Sequence, residues 1–244
     1  MAKKARTPPP PRRVQAPHRR EEHRSPEERR KLLLLVAFAA LGLLALAGVI
    51  ALLALTTGGS NEVDASAVRA AMQSAGCTYT ETPAKPLASG GVHVATIDTP
   101  TKWDMYPPAA GAHYGQTAVW GFYEDAAEPI RIVHNEEHGG VILWWGPETP
   151  AAEVDKLRAF YNESPEGMLG TPIGTIDGKS LGSKIAITAW NGNPETYTEN
   201  DDYGTGHVAV CPRFDDSAFT KFRDAFRGKG PEPVDVSQNQ PGTG

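Results

Sequence analysis

The strongest pattern in the sequence is an uninterrupted apolar run at residues 32–55. Its twenty-four residues are all Leu, Ala, Val, Ile, Phe or Gly, and none is charged. At about 1.5 Å per residue, a helix of this length exceeds the roughly 30 Å hydrocarbon core of a bilayer. The run is longer than the apolar part of a signal peptide, and no clear Ala-x-Ala cleavage site follows it. The pattern therefore predicts an uncleaved signal anchor, a single transmembrane helix.

After a Gly/Ser/Thr linker at 56–62, the pattern changes to short periodic segments typical of one α+β domain at 63–228. Helical periodicity predicts three helices, at 63–75, 150–161 and 215–227. Alternating or β-branched runs predict about five strands: 92–97, 117–123, 129–134, 140–145 and 184–190, with a further short strand at 206–210. We expect a mixed or antiparallel sheet. The Pro/Gly-rich residues 229–244 are predicted to be a disordered tail.

Charge is divided unevenly along the chain. Residues 1–31 contain eleven Lys/Arg and four acidic residues, a net charge of +7, and their composition predicts a disordered basic tail. The remaining residues carry thirteen basic and twenty-five acidic side chains, a net charge of −12. Because basic flanks stay in the cytoplasm, the α+β domain is predicted to be extracytoplasmic and the N-terminus cytoplasmic. The acidic domain argues against a nucleic-acid partner. The predicted partner is the lipid bilayer, through residues 32–55.

The two cysteines, Cys77 and Cys211, both belong to the predicted exterior domain. In an oxidising compartment an isolated pair is most simply one disulfide, which here would join the start of the domain to its end. The alternative is a pair of thiolate ligands or a redox pair. The Cys-x-x-Cys spacing typical of those roles is missing.

Histidines and glutamates are concentrated around His134-x-x-Glu137-His138. We predict a tight connection between two strands here, and positions i and i+4 share one face of a helix and point the same way on a strand. A proline-rich loop ends at His113. Imidazole and carboxylate groups suit transition metals. The prediction is a copper or zinc site with His113, His134 and His138 as ligands and Glu137 as a ligand or a partner of one, whereas His93 and His207 are predicted to be structural.

Two other functions fit the pattern. His-x-x-Glu-His also occurs in some zinc peptidases, but only on a helix, and the glycines and β-branched flanks argue against a helix here. A metal-dependent hydrolase is thus the weaker alternative, and no catalytic residue can be assigned. The other alternative is a non-catalytic accessory subunit of a membrane protein complex with a structural His/Glu cluster. Nucleotide-binding and serine-hydrolase motifs are missing from the sequence.

The order of these motifs resembles a bacterial family of membrane-anchored exterior domains, the domain-of-unknown-function family numbered 3105. The resemblance covers roughly residues 60–228 and implies that the His/Glu positions named above are the ones of interest, without implying an activity. Ala109-Ala110 stand where Thr-Ser is expected, which argues against a catalytic role for those hydroxyls. The matching motifs are His93-Val94, Pro107-Pro108-x-x-Gly111-x-His113-Tyr114, Gly121-x-Tyr123, Val133-His134-x-x-Glu137-His138-Gly139-Gly140 and Cys211.

Overall fold

The computed structural model describes residues 63–197 and 202–244, together with Pro26, Glu27, Arg30, Lys31 and Leu33. Apart from those five positions, the predicted basic tail, transmembrane helix and linker lie outside the described residues. No helix within the described part of the chain is both long enough and apolar enough to cross a membrane.

The described domain contains four α-helices, seven strands and one short 3-10 helix at Val236–Gln238. The helices are α1 (Ser66–Ser74), α2 (Pro129–Glu137), α3 (Ala151–Glu163) and α4 (Asp216–Phe226). The strands are β1 (Thr78–Pro83), β2 (His93–Val94), β3 (His113–Tyr114), β4 (Val141–Trp145), β5 (Met168–Pro172), β6 (Ile185–Asn191) and β7 (Thr205–Cys211).

Five strands form one mixed sheet in the order β1-β7-β6-β4-β5. The first three pairings are antiparallel, and β4 pairs with β5 in parallel. Strands β2 and β3 form a separate two-stranded parallel sheet. The predicted α+β class with a mixed sheet is confirmed, with four helices rather than about three.

The two faces of the large sheet carry different layers, because alternate residues of a strand point to opposite faces. Val141, Leu143 and Trp145 of β4 pack with buried residues of α1, α3 and α4. On the other face, Ile142 and Trp144 pack with Ile132 of α2 and with the loop before that helix. Helix α2 and the long loops thus occupy the face that carries the candidate site.

The Cys77–Cys211 disulfide predicted from the sequence is present. It joins the residue before β1 to the last residue of β7, and both half-cystines are buried in the core beneath α1 and α4. The bond therefore fixes the edge of the sheet to its interior, on the face opposite to α2.

Residues 129–134 are helical, so the prediction of a strand there was wrong. Glu128 precedes α2 in an extended conformation and Pro129 occupies the first turn, where its missing N–H costs no hydrogen bond. The β-branched residues that suggested a strand disfavour a helix by only a fraction of a kcal/mol each. Burial of Ile132 and Val133 against the sheet outweighs that preference.

The sequence also misjudged the regions on either side of α2. Residues 117–123 run alongside β5 with only one isolated bridge, between Phe122 and Gly170, and are not a regular strand. Strands β1 and β5 were not predicted. Of the predicted strand at 92–97, only the two residues of β2 pair.

The C-terminal segment packs against the domain, whereas the sequence predicts disorder for 229–244. Trp120 exchanges backbone hydrogen bonds with this segment, donating to Thr243 at 2.7 Å and accepting from Gly242 at 2.8 Å. The backbone N–H of Glu232 donates to the carbonyl of Glu137 at 3.1 Å. Local composition indicated a flexible tail, but tertiary hydrogen bonds hold it beside the end of α2.

Candidate metal site

Two of the candidate ligands are brought together by strand pairing. Strands β2 and β3 pair in parallel with His93 opposite His113, and their ring centroids lie 4.6 Å apart. The His113 side chain is fully buried, whereas that of His93 is 49% exposed. The site thus has one buried and one solvent-facing imidazole, from two short strands whose histidines are twenty residues apart in sequence.

The other two candidate ligands come from the last turn of α2. His134 and Glu137 are three residues apart, a spacing that places both on one face of a helix. The His134 ring centroid lies 4.9 Å from that of His113 and 5.3 Å from that of His93. Helix α2 ends at Glu137, and the capping residue His138 is followed by Gly139 with φ +83°. A Cβ at Gly139 would lie 2.7 Å from the Gly228 Cα, so the chain leaves this helix through a space that only glycine fits.

Glu137 lies at the centre of the three imidazoles. Its Oε2 atom is 3.0 Å from His113 Nε2, 3.4 Å from His93 Nε2 and 3.7 Å from His134 Nε2. The four potential ligand atoms all lie within 4.8 Å of one another. Two ligands of a tetrahedral ion with bonds of about 2.0–2.1 Å are roughly 3.3 Å apart, a value that the three distances bracket. The cluster is therefore compatible with metal binding.

Hydrogen bonds outside the cluster fix which ring nitrogen is available. His113 Nδ1 lies 2.7 Å from the carbonyl oxygen of Gly111, and His134 Nδ1 lies 2.9 Å from that of Tyr114. A carbonyl can only accept, so each Nδ1 carries a hydrogen and each Nε2 is directed into the cluster, where it offers a lone pair whenever the ring is neutral. This is the arrangement in which metal-binding histidines are oriented by outer hydrogen bonds.

The Glu137 carboxylate is also oriented by a hydrogen bond from outside the cluster. The Tyr197 hydroxyl donates to Glu137 Oε1, which leaves Oε2 directed towards the histidines. Both Glu137 Oε2 and His113 Nε2 are buried and have no hydrogen-bond partner. Leaving a buried polar atom unpaired costs about 1–3 kcal/mol, more if it is charged. A cation between these two atoms would satisfy both.

The ionisation of the side chains also suits a metal. Burial raises the pKa of Glu137, but the nearby His113, the Tyr197 hydroxyl and His134 outweigh this and lower that pKa to about 2. Burial lowers the pKa of His134 to about 4 and lowers that of His138. At neutral pH Glu137 is therefore an ionised carboxylate and His134 a neutral imidazole, the forms that bind metal.

The neighbouring residues of α2 anchor the helix to the rest of the domain. The Asn135 side chain accepts from the Ala118 N–H at 2.9 Å and donates to its carbonyl at 3.0 Å. Glu136 is fully buried, and Thr188 of β6 donates to its Oε1 at 2.5 Å. Burial raises the pKa of Glu136 well above its usual value. The two adjacent glutamates therefore face different partners: Glu136 contacts the sheet, and Glu137 faces the imidazoles.

The structure places the predicted ligand residues in two adjoining groups. His113, His134 and Glu137 are brought together, and His93, predicted to be structural, lies with them. His138 lies to one side, with its Nε2 3.2 Å from His134 Nε2 and 3.8 Å from Glu232 Oε2. His-x-x-Glu-His also lies on the end of a helix, contrary to the prediction. The pairing of β2 with β3 reveals His93, and no local sequence signal could have done so.

His207 remains outside the cluster, as predicted. Its ring stacks on Phe226 with centroids 4.3 Å apart, and its Nδ1 is 2.9 Å from the Tyr79 hydroxyl. Burial lowers the pKa of His207 to about 4. These contacts give the residue a structural position between the sheet and α4.

The buried His207 predicts an acid-sensitive contribution to stability. Its folded pKa of about 4 lies below the ordinary value of 6.5, so the unfolded chain binds the proton more readily between these values. The contribution of neutral, buried His207 to the stability of the folded state is complete above pH 6.5 and is lost as the pH falls towards 4. Between pH 7.5 and pH 4.5, the free energy of unfolding of the metal-free chain, measured in urea, should fall by about 2–3 kcal/mol more in wild type than in His207→Phe. An equal pH dependence in both proteins would contradict this role.

Comparison with known proteins decides the family. The family model described as protein of unknown function, DUF3105, matches residues 93–239. The chain belongs to this family. The matched DUF3105 segment begins at His93 and includes all four clustered side chains, whereas Cys77 and α1 precede it. No curated protein and no solved structure matches the chain. The family description names no activity, so the functional argument rests on the site itself.

Proposed function

We propose that this DUF3105 protein binds one zinc or copper ion through His93, His113, His134 and Glu137, and handles that metal at the cell envelope. The observation that carries the proposal is the convergence of three imidazole nitrogens on one buried carboxylate oxygen that has no hydrogen-bond partner. Outer hydrogen bonds already hold His113 and His134 in the required orientation.

The donor atoms favour some metals over others. Three nitrogens and one carboxylate oxygen suit zinc or oxidised copper, whereas reduced copper prefers cysteine and methionine sulfur. Both cysteines form the disulfide and are removed from any thiolate chemistry. The spacing near 3.3 Å matches the tetrahedral arrangement that zinc adopts. We therefore place zinc first and copper second.

The envelope location is part of the same proposal. The apolar run at 32–55 and its basic flank support a single-pass protein with the metal-binding domain outside the cytoplasm. The disulfide supports an oxidising compartment, since such bonds are rare in the cytosol. Metal handling or sensing then requires only the anchored domain and its ion.

The position of Glu137 makes a hydrolase a weaker proposal. A general base must contact a metal-bound water, but Glu137 Oε2 lies among the imidazoles at ligand spacing and its Oε1 accepts from Tyr197. Four protein ligands would complete a tetrahedral ion and leave no open position for water. The helical His-x-x-Glu-His segment therefore supports ligation rather than peptide hydrolysis.

Metal analysis tests the proposal. The full chain, purified in detergent without a polyhistidine tag or chelator, should bind one tight equivalent of zinc at pH 7.5 by competition with a chelating dye. His113→Ala should lose that equivalent, because it removes a fully buried ligand. His207→Gln is the matched control, since it changes a buried histidine outside the cluster and should leave the binding unchanged.

The outcome that would contradict the proposal is clear. If neither zinc nor copper binds at micromolar concentration, the His/Glu cluster is structural. Equal binding by His113→Ala and wild type would place the metal elsewhere. A folded His113→Ala protein, verified by far-UV circular dichroism, makes either result interpretable.

A further inference from the structure

A second group of metal-ligating side chains adjoins the proposed site. His138, Glu232 and Glu137 each offer a ligand atom, and the three atoms lie within 4.8 Å of one another. His138 Nε2 is 3.8 Å from Glu232 Oε2. Glu137 is shared between this outer group and the inner group of three histidines.

The backbone holds the outer group in place. His138 caps α2 directly after its last residue, Glu137, and the His138 ring centroid is 4.5 Å from that of His134. Glu232 belongs to the C-terminal segment, and its backbone N–H donates to the Glu137 carbonyl at 3.1 Å. The two carboxylate residues are thus fixed to each other through the main chain.

The geometry points to a two-metal centre: we propose that His138 and Glu232, together with Glu137, bind a second divalent cation beside the inner one. The inference rests on the proposed function of the inner site and extends it. A carboxylate shared by two ions is the usual way to hold divalent metals roughly 3.5–4 Å apart. His134 and His138, with Nε2 atoms 3.2 Å apart, then serve one ion each.

The outer ion binds more weakly and exchanges faster than the inner one. The side chains of His138 and Glu232 are 23% and 56% exposed, whereas those of His113 and Glu137 are fully buried. An open cleft lined by Arg131, His134 and His138 reaches one side chain of the outer group, His138. Fewer ligands and repulsion from the inner ion also reduce the affinity of the outer position.

Binding of the inner ion makes His138 available as a ligand of the outer ion. His134 carries its hydrogen on Nδ1, so its contact with His138 requires a hydrogen on His138 Nε2. When the inner ion takes the His134 Nε2 lone pair, His138 loses this acceptor. His138 then becomes a ligand by carrying its hydrogen on Nδ1, with no net change of charge. The ions therefore bind in the order inner, then outer.

The test is a zinc titration of the full chain in detergent by calorimetry. Wild type should bind two equivalents, at least tenfold apart in affinity. His138→Gln and Glu232→Gln should each bind one, with the tight affinity changed less than threefold. Glu163→Gln, which alters an exposed carboxylate at the end of α3, is the matched control and should retain both.

The outcomes separate the two proposals. A single tight equivalent in wild type, lost in His113→Ala, would uphold the inner site and overturn the outer one. Two equivalents that persist in His138→Gln and Glu232→Gln would also overturn it, as would a tenfold loss of tight affinity in His138→Gln. No binding at all would overturn both proposals.

A copper readout measures the proximity of the ions directly. Two Cu²⁺ ions sharing a carboxylate at about 4 Å are magnetically coupled, so wild type with two equivalents should give a coupled electron paramagnetic resonance spectrum. Glu232→Gln should give only the spectrum of an isolated ion. Two uncoupled signals in wild type would overturn the shared-carboxylate arrangement.

Discussion

Glu137→Gln is expected to lower the affinity for zinc by more than about 100-fold while leaving the metal-free protein at least as stable. Even groups that only orient a ligand account for 10–100-fold in metal affinity, and Glu137 is itself a proposed ligand. The substitution removes the charge that attracts the cation. It preserves the volume of the side chain.

The stability of the metal-free variant follows from hydrogen bonding. In wild type, Glu137 Oε2 and His113 Nε2 lie 3.0 Å apart, and whenever His113 is neutral with its hydrogen on Nδ1 they are two acceptors facing each other. A glutamine can accept from Tyr197 through its carbonyl oxygen and donate from its amide nitrogen to His113 Nε2. The variant therefore satisfies without metal two atoms that the wild type leaves unpaired.

Two measurements check this prediction. Competition with a chelating dye gives the zinc affinity, and urea unfolding with chelator present gives the metal-free stability. Tyr197→Phe is the matched comparison: it keeps the carboxylate, removes only the outer hydrogen bond, and should cost about 10–100-fold in affinity. Unchanged zinc affinity in Glu137→Gln would remove this residue from the ligand set.

Removing the disulfide by Cys77→Ala together with Cys211→Ala should reduce the free energy of unfolding by about 4–5 kcal/mol. The cross-link joins residues 134 positions apart, and in the chain-entropy model so long a loop lies at the upper end of the usual range. This loss is a large fraction of the 5–15 kcal/mol typical of whole proteins.

The disulfide prediction has an internal control. Reducing the wild-type protein breaks the same cross-link without deleting the buried sulfur atoms, so the difference between reduced protein and double variant isolates the packing loss. Both half-cystines lie on the face of the sheet opposite to α2. Zinc affinity should therefore be unchanged wherever the protein remains folded. A loss below about 1 kcal/mol would show that the cross-link does not constrain the unfolded chain.

The elements with strong periodicity were predictable from sequence, and the site was predictable only in part. Helices α3 and α4 and strands β4 and β6 were found close to their observed bounds because their buried faces recur at regular intervals. Helix α2 was missed because its β-branched residues indicate a strand, and only tertiary packing reverses that preference.

The identity of the ligands was also only partly predictable from the sequence. Glu136 and Glu137 are chemically identical neighbours, and only the direction of α2 determines that one faces Thr188 and the other the histidines. His93 reaches the cluster through a strand only two residues long. Such short pairings depend on distant parts of the fold, so no local pattern could reveal this ligand.

The packed C-terminal segment determines at which stage of synthesis the site can be completed. Its ligands occur between His93 and Glu137, but the carbonyl of Glu137 is bound by the backbone of Glu232, and Gly228 lies directly against Gly139. The C-terminus leaves the ribosome last. The surroundings of Glu137 are therefore completed only after residues 228–232 have been synthesised, so a polypeptide that ends before them lacks the finished site even though it already contains every inner ligand.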